Sequence, residues 1–203
     1  MIGIINYGMV NLASVKNALN FLKIPSKIVD CPKDLVNTDK IILPGVGAFG
    51  MAMLNLESKG FIESLENEVL IKQKPLLGIC LGMQLLLSKS YEFGENKGLD
   101  FIKGEVRSFS DKINDLPIPH MGWNNVKSIH NSLLRNITDE EAIFYFIHSF
   151  YCELENNKYQ SGETDYGFNF TSMIEKENIF GAQFHPEKSQ KFGLEIFTSF
   201  HKI

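Results

Sequence analysis

The chain has 203 residues, 44% of them hydrophobic and 22% charged, with a net charge of -4 from 20 basic and 24 acidic side chains. This is the balance of one globular domain that buries roughly 70% of its unfolded surface, and it excludes a disordered or collagen-like chain. The acidic balance leaves no basic field for a phosphate backbone, so nucleic acid is excluded as the main partner. Three cysteines, Cys31, Cys80 and Cys152, with no Cys-x-x-Cys pair, argue against a disulfide framework and a structural zinc site.

In chain order, Ile2–Ile5 is a short apolar run closed by Asn6-Tyr7-Gly8, which reads as a buried strand and its turn. It is too short, and lacks the basic flank, for a signal peptide. Asn11–Leu22 carries Leu12, Val15, Leu19 and Leu22 at helical spacing. Lys27–Val29 and Lys40–Leu43 are the next strands, the latter stopped by Pro44-Gly45. Phe49 to Lys72 reads as helices broken at Lys59-Gly60. Leu76–Ile79 is a fourth strand, and Leu81–Ser90 a helix after it. The longest apolar stretch, Leu76 to Leu87, falls short of the roughly 20 residues a membrane span needs, so no membrane partner and a cytoplasmic location are expected.

The second half changes texture. Leu99–Phe109, Ile143–Glu153, Gln160–Thr164, Thr171–Glu175 and Ile179–Phe184 read as strands, Lys112–Pro119 as a surface loop, and Gln190–Lys202 as a closing helix with Phe192, Ile196, Phe197 and Phe200 on one face. The expected fold class is α/β: a single domain over residues 1–203, with a mixed, mostly parallel sheet flanked by helices and a β-rich second half. Ligands in such sheets sit outside the carboxyl ends of the strands, where Asn6–Asn11, Pro44–Gly47 and Gly78–Gly82 fall.

Three segments carry chemistry. Gly78-Ile79-Cys80-Leu81-Gly82 follows an apolar strand and opens a helix, the layout of a nucleophile elbow with Cys in the exposed position. The helix start behind it favours the thiolate. A lone cysteine would more readily be a buried structural one, but the flanking glycines favour a nucleophile. His185-Pro186-Glu187 follows the strand Ile179–Phe184. Residues i and i+2 of an extended chain point the same way, so Glu187 can orient His185 and leave its other nitrogen to face a thiol. Pro44-Gly45-Val46-Gly47 can supply backbone N–H groups to an oxyanion, as can Leu81. Cys31 and Cys152 read as bystanders, and His120, His130 and His201 as surface or structural histidines without an evident partner.

Four motifs occur together in order: Pro44-Gly-Val-Gly-Ala-Phe49, Gly78-Ile-Cys-Leu-Gly-Met-Gln84, Pro119-His-Met-Gly-Trp-Asn124 and Gln183-Phe-His-Pro-Glu-Lys-Ser189. By these, over almost its whole length, the chain resembles the class I glutamine amidotransferases, with their flavodoxin-like fold. Within that family, Pro119–Asn124 and Asn6-Tyr-Gly-Met-Val-Asn-Leu12 are similar to the glutaminase subunits of imidazole glycerol phosphate synthases.

The resemblance implies that Cys80 attacks L-glutamine, with His185 as base and Glu187 as its orienter, no metal or organic cofactor, and an oxyanion loop at Gly45, Val46 and Gly47 with Leu81. It implies that Gln84, Glu92, Ser149 and Phe150 bind substrate, Phe150 standing where Tyr is usual. It implies a heterodimer whose other member is a (β/α)8-barrel cyclase, met by Asn11, Trp123 and Lys188. That partner takes the ammonia and makes imidazole glycerol phosphate and an aminoimidazole carboxamide ribotide. Asn6, Val10 and Ala13 depart from the family's usual Asp, Gly and Arg. These departures leave open a paralogous synthase of surface-sugar or nucleotide-sugar amination as the alternative partner.

Overall fold

The computed structural model describes residues 1–129, 133, 134, 137 and 142–203. His130, read above as a surface or structural histidine, lies outside them. Strand β1 (Ile2–Ile5) leads through helix α1 (Leu12–Phe21) to β2 (Ser26–Val29), then to β3 (Lys40–Gly45), α2 (Phe49–Ser58) and α3 (Phe61–Leu65), which runs on as a π-helical turn over Glu66–Ile71. Next come β4 (Leu76–Cys80), α4 (Leu81–Leu85), β5 (Leu87–Ser90), β6 (Asn96–Lys97) and β7 (Ile102–Ser108). The later part holds β8 (His120–Asn125), β9 (Lys127–Ser128), β10 (Ile143–His148), β11 (Phe150–Leu154), β12 (Gln160–Asp165), β13 (Asn169–Lys176), β14 (Ile179–Ala182) and α5 (Gln190–Lys202).

The large sheet runs β2-β1-β3-β4-β14-β13-β11-β7-β5-β6, with β12 and β9 joined beside β13. From β2 to β14 every pairing is parallel; β13, β11 and β7 continue it antiparallel. Inside the edge strand β2, the parallel strands are covered on both faces, so they are almost wholly apolar and their alternation selects a face rather than an exposure. Ile2, Ile4, Ile42, Leu77 and Ile79 join Val15 and Leu19 of α1 and Ile196, Phe197 and Phe200 of α5 in one buried cluster. Ile5, Ile41, Leu43 and Leu76 point the other way, toward Phe49, Leu56, Phe61, Leu65, Leu81 and Leu85 of α2, α3 and α4. The expected α/β architecture is therefore present, and the helix break at Lys59-Gly60 is a left-handed Gly60 (φ 73°).

Three element readings are corrected. The helix expected over Leu81–Ser90 stops at Leu85, and Leu87–Ser90 is strand β5, parallel to β7 and antiparallel to β6. Leu85, Leu86 and Leu87 are all fully buried, so the leucine run carries no period that separates helix from strand. The single strand expected over Ile143–Glu153 is two. β10 pairs with β8 in a separate small sheet, β11 pairs with β7 and β13 in the large one, and the chain changes sheets at Ser149, whose carbonyl accepts from the Phe109 N–H. The strand expected from Leu99 begins at Ile102, because Asp100 takes a left-handed conformation (φ 59°). Among the described residues, no helix is long and apolar enough to cross a membrane.

Candidate active site at the strand ends

The elbow is built by close backbone approach. Cys80 ends β4 at φ 53° and ψ -111°, a strained conformation for a residue with a side chain. The first turn of α4 folds back so tightly that a Cβ on Gly82 would sit 1.8 Å from the Leu43 carbonyl oxygen, and one on Gly78 would sit 2.7 Å from the Gly82 carbonyl oxygen. Glycine is required at both positions by contact, not by conformation. Leu81, as the first residue of α4, has an N–H with no acceptor within the helix, in position for a donor role.

Parallel pairing then assembles the rest. Gly45 of β3 lies in register with Cys80, and β14 lies on the other side of β4 and delivers His185 just beyond its end. The His185 N–H is fixed by the Tyr145 carbonyl of β10 (2.9 Å), and the Ser189 hydroxyl donates to the His185 carbonyl (2.6 Å) while accepting from the Tyr145 N–H (2.9 Å). His185 Nδ1 is 2.7 Å from Glu187 Oε1, both side chains being buried. Its other nitrogen is left for Cys80, which lines the same cavity. Burial works against the imidazolium, but the Cys80 sulfur and the Glu187 carboxylate outweigh it and push His185 up to about 10. Cys80, His185 and Glu187 thus have the arrangement that a nucleophile, its base and a carboxylate orienting that base would require.

A cavity of about 490 Å³ opens in front of the sulfur, lined by Val46, Gly47, Cys80, Leu81, Gln84, Glu92, Ser149, Phe150, His185 and Lys188 among others. Ten of the residues singled out in the sequence are therefore brought together there. Glu187 sits behind His185, and Gly45 and Asn11 line a small adjoining void with it. Glu92 Oε2 accepts the Phe49 N–H at the start of α2 (2.6 Å), which holds its carboxylate at the cavity wall. The Phe150 carbonyl accepts from Gln84 Nε2 (3.0 Å) and His148 Nδ1 (2.8 Å), so what stands in for the usual Tyr contributes its backbone. Trp123 does not line the cavity; it stands 44% exposed on β8, edge-on to Tyr145. Asn11 caps α1, its Oδ1 accepting from the Ser14 N–H.

The loop expected to hold an oxyanion has its Val46 N–H engaged elsewhere. Gly47 has the left-handed conformation (φ 93°) that its position asks for, but the Val46 N–H donates to the Met9 carbonyl (3.0 Å). Behind the loop, the fully buried Tyr7 hydroxyl occupies the space next to Gly45 and has no hydrogen-bond partner among the described residues. Asn6, one of the departures, donates to Asp30 Oδ1 (2.7 Å), a contact in which the family's Asp would face another carboxylate.

Sequence reading missed two features. His120, expected to lack a partner, is buried with Nδ1 3.1 Å from His148 Nε2 and Nε2 3.2 Å from Asn124 Nδ2. Gln183, fully buried, places its Nε2 3.8 Å from Cys80 Sγ, and its Oε1 accepts from Gln84 Nε2 (3.0 Å). A signal for Gln183 was present: it precedes His185 by two residues in an extended run.

The profile of the glutamine amidotransferase class-I family matches residues 4–202. Imidazole glycerol phosphate synthase subunit HisH 1 of Campylobacter jejuni strain RM1221 is 45% identical over 203 residues, covering all of both chains. Subunit HisH of Sulfurimonas denitrificans is 47% identical over 204 residues, covering 100% of this chain and 98% of its own. Among solved structures, PurLQS from Thermotoga maritima superposes with a TM-score of 0.76 at 18% identity, over 99% of this chain and 97% of the other. The glutaminase domain of Trypanosoma brucei CTPS gives 0.60 at 16% identity, over 99% and 93%; both structures share the fold.

Proposed function

The chain belongs to the class I glutamine amidotransferases, and from that premise we propose that residues 1–203 form one glutaminase domain serving an imidazole glycerol phosphate synthase. The observation that carries the reading is the convergence of Cys80 and His185, the latter held from behind by Glu187, on one cavity whose walls hold Gln84, Glu92, Ser149 and Phe150. The cavity has room for one glutamine, its amino-acid end toward Glu92 and its carboxamide at Cys80.

In this reading the Cys80 sulfur adds to the side-chain carbonyl carbon of L-glutamine, and the negative charge moves to the oxygen. The Leu81 N–H and a second N–H from Gly45–Gly47 hold that oxygen; losing one such donor typically costs about 10²–10³ in rate. His185 then gives its proton to the departing nitrogen, which leaves as ammonia. Water, deprotonated by His185, opens the thioester, releasing glutamate and restoring Cys80.

The Val46 N–H, which would be that second donor, is bound to the Met9 carbonyl. On its own the protein is accordingly slow, and turning the Gly45-Val46 peptide into the site is the step that a partner drives. The partner is a (β/α)8-barrel cyclase docking on the face with Trp123, Lys188 and Asn11. It receives the ammonia and makes imidazole glycerol phosphate and the aminoimidazole carboxamide ribotide. The second reading, a paralogous synthase in sugar amination, draws on Asn6, whose bond to Asp30 lies at the turn leading to Asn11.

The test is glutamate release from glutamine by the protein alone and with each candidate barrel partner plus its nucleotide ligand, with Cys80→Ala as control. Strong stimulation by the histidine-pathway cyclase supports the first reading, and stimulation only by another barrel moves the protein to the second. Glutamate release that survives Cys80→Ala refutes the mechanism.

A further inference from the structure

We propose that Gln183 is a positioning residue for the nucleophile, its side-chain N–H holding the Cys80 sulfur in its charged form. The proposal rests on the reading of Cys80 as nucleophile. The geometry that supports it is a run of buried hydrogen bonds whose direction is fixed from one end.

The fixed end is the Phe150 carbonyl, which has no proton and can only accept. It faces Gln84 at 3.0 Å, so Gln84 must present its NH₂ there. The same NH₂ reaches Gln183 at 3.0 Å, so Gln183 must present its oxygen to Gln84. What remains of the Gln183 amide is its NH₂, and that is the group 3.8 Å from Cys80 Sγ, within reach for an acceptor as large as sulfur. Turning Gln84 round would set oxygen against oxygen, and turning Gln183 round would set NH₂ against NH₂, in a buried site.

The Phe150 carbonyl is itself held. His148 Nδ1 donates to it at 2.8 Å, which leaves His148 Nε2 as an acceptor for His120 Nδ1–H at 3.1 Å. His120 Nε2 in turn accepts from Asn124 Nδ2, whose NH₂ also serves the Asp165 carbonyl (2.9 Å). Both rings are neutral in this arrangement, and burial pushes His120 down to about 4 and His148 to about 3. The sulfur is therefore met by His185 on one side and by a donor of fixed polarity on the other. An N–H toward sulfur stabilises thiolate more than thiol, because hydrogen bonds to a charged partner are the stronger.

The experiment is the pH dependence of Cys80 alkylation by iodoacetamide, mapped by mass spectrometry, in the wild type, Gln183→Met and Gln183→Glu. Met keeps the volume without a donor. Glu keeps the shape and the bond from Gln84, and sets an acceptor against the sulfur. The expected result is a midpoint moved upward by about one pH unit in Gln183→Met, a roughly tenfold slower reaction near neutral pH, and further in Gln183→Glu. A thermal melt identifies which variants are folded. A wild-type profile in either folded variant overturns the proposal, because a purely structural glutamine would not move the pH profile. Alkylation needs neither glutamine nor a barrel partner, so a shifted profile in a protein that releases no glutamate with any barrel partner would uphold Gln183 while sinking the glutaminase reading.

Discussion

Acid should weaken this fold before its carboxylates titrate, and the buried pair His120–His148 is the reason. In the folded protein burial holds the two rings near about 4 and about 3, against an ordinary value of 6.5. A group with a depressed folded value contributes stability that is present above the unfolded value and lost as pH falls toward the folded one. Between about pH 7 and about pH 5 the unfolded chain protonates both rings and the folded chain neither, which costs about 2 kcal/mol per ring. His185 acts in the opposite sense. Its folded value, raised to about 10, gives stability that is complete below 6.5 and is lost as pH rises through about 10. On the same descent it returns about 1 kcal/mol, leaving a net loss of about 3 kcal/mol. Unpaired carboxylates, near about 4 when unperturbed, stay largely ionised over that interval in both states. The assay is urea unfolding at several pH values, followed by circular dichroism. The double variant His120→Gln, His148→Gln keeps polar side chains in place and removes both titrations, so its stability should rise slightly on the same descent. Wild-type stability that is flat or increasing from neutral pH to about pH 5 would refute the argument, because the rings would then have to be protonated in the fold.

Other substitutions test the packing around the site. Gly82→Ala puts a Cβ 1.8 Å from the Leu43 carbonyl oxygen and should cost about 3 kcal/mol or more in urea unfolding; a cost below about 1 kcal/mol would mean that the elbow relaxes freely. Phe197→Ala empties a fully buried position between α5 and the sheet and should lower stability by about 3–5 kcal/mol by the same measurement. Tyr7→Phe removes a buried hydroxyl without a partner among the described residues and should leave Tm unchanged or raise it, gaining up to about 1 kcal/mol. A clear fall in Tm would show that the hydroxyl is bonded in solution.

The elements that set the active site were legible because their signals are local. The apolar runs of β1, β3 and β4, the helical spacing in α1 and α5, and the glycines around Cys80 each report on residues a few positions apart. Glu187 could be assigned to His185 for the same reason: two residues of one segment have few ways to lie apart. Where the apolar pattern was unbroken, as from Leu85 to Leu87, local reading failed, since a fully buried strand and a fully buried helix present the same residues.

What tertiary structure alone decided was which groups are already spoken for. The Val46 N–H looks free in the sequence and belongs to Met9, 37 positions earlier, because the loops after β1 and β3 meet at the sheet's carboxyl end. Gln183 meets Cys80 across 103 positions because β14 is laid beside β4, and His120 meets His148 because β8 pairs with β10. The residues and their chemistry were written in the chain. Which buried donor met which acceptor depended on strand order and register, through contacts too distant in sequence for any local pattern to record.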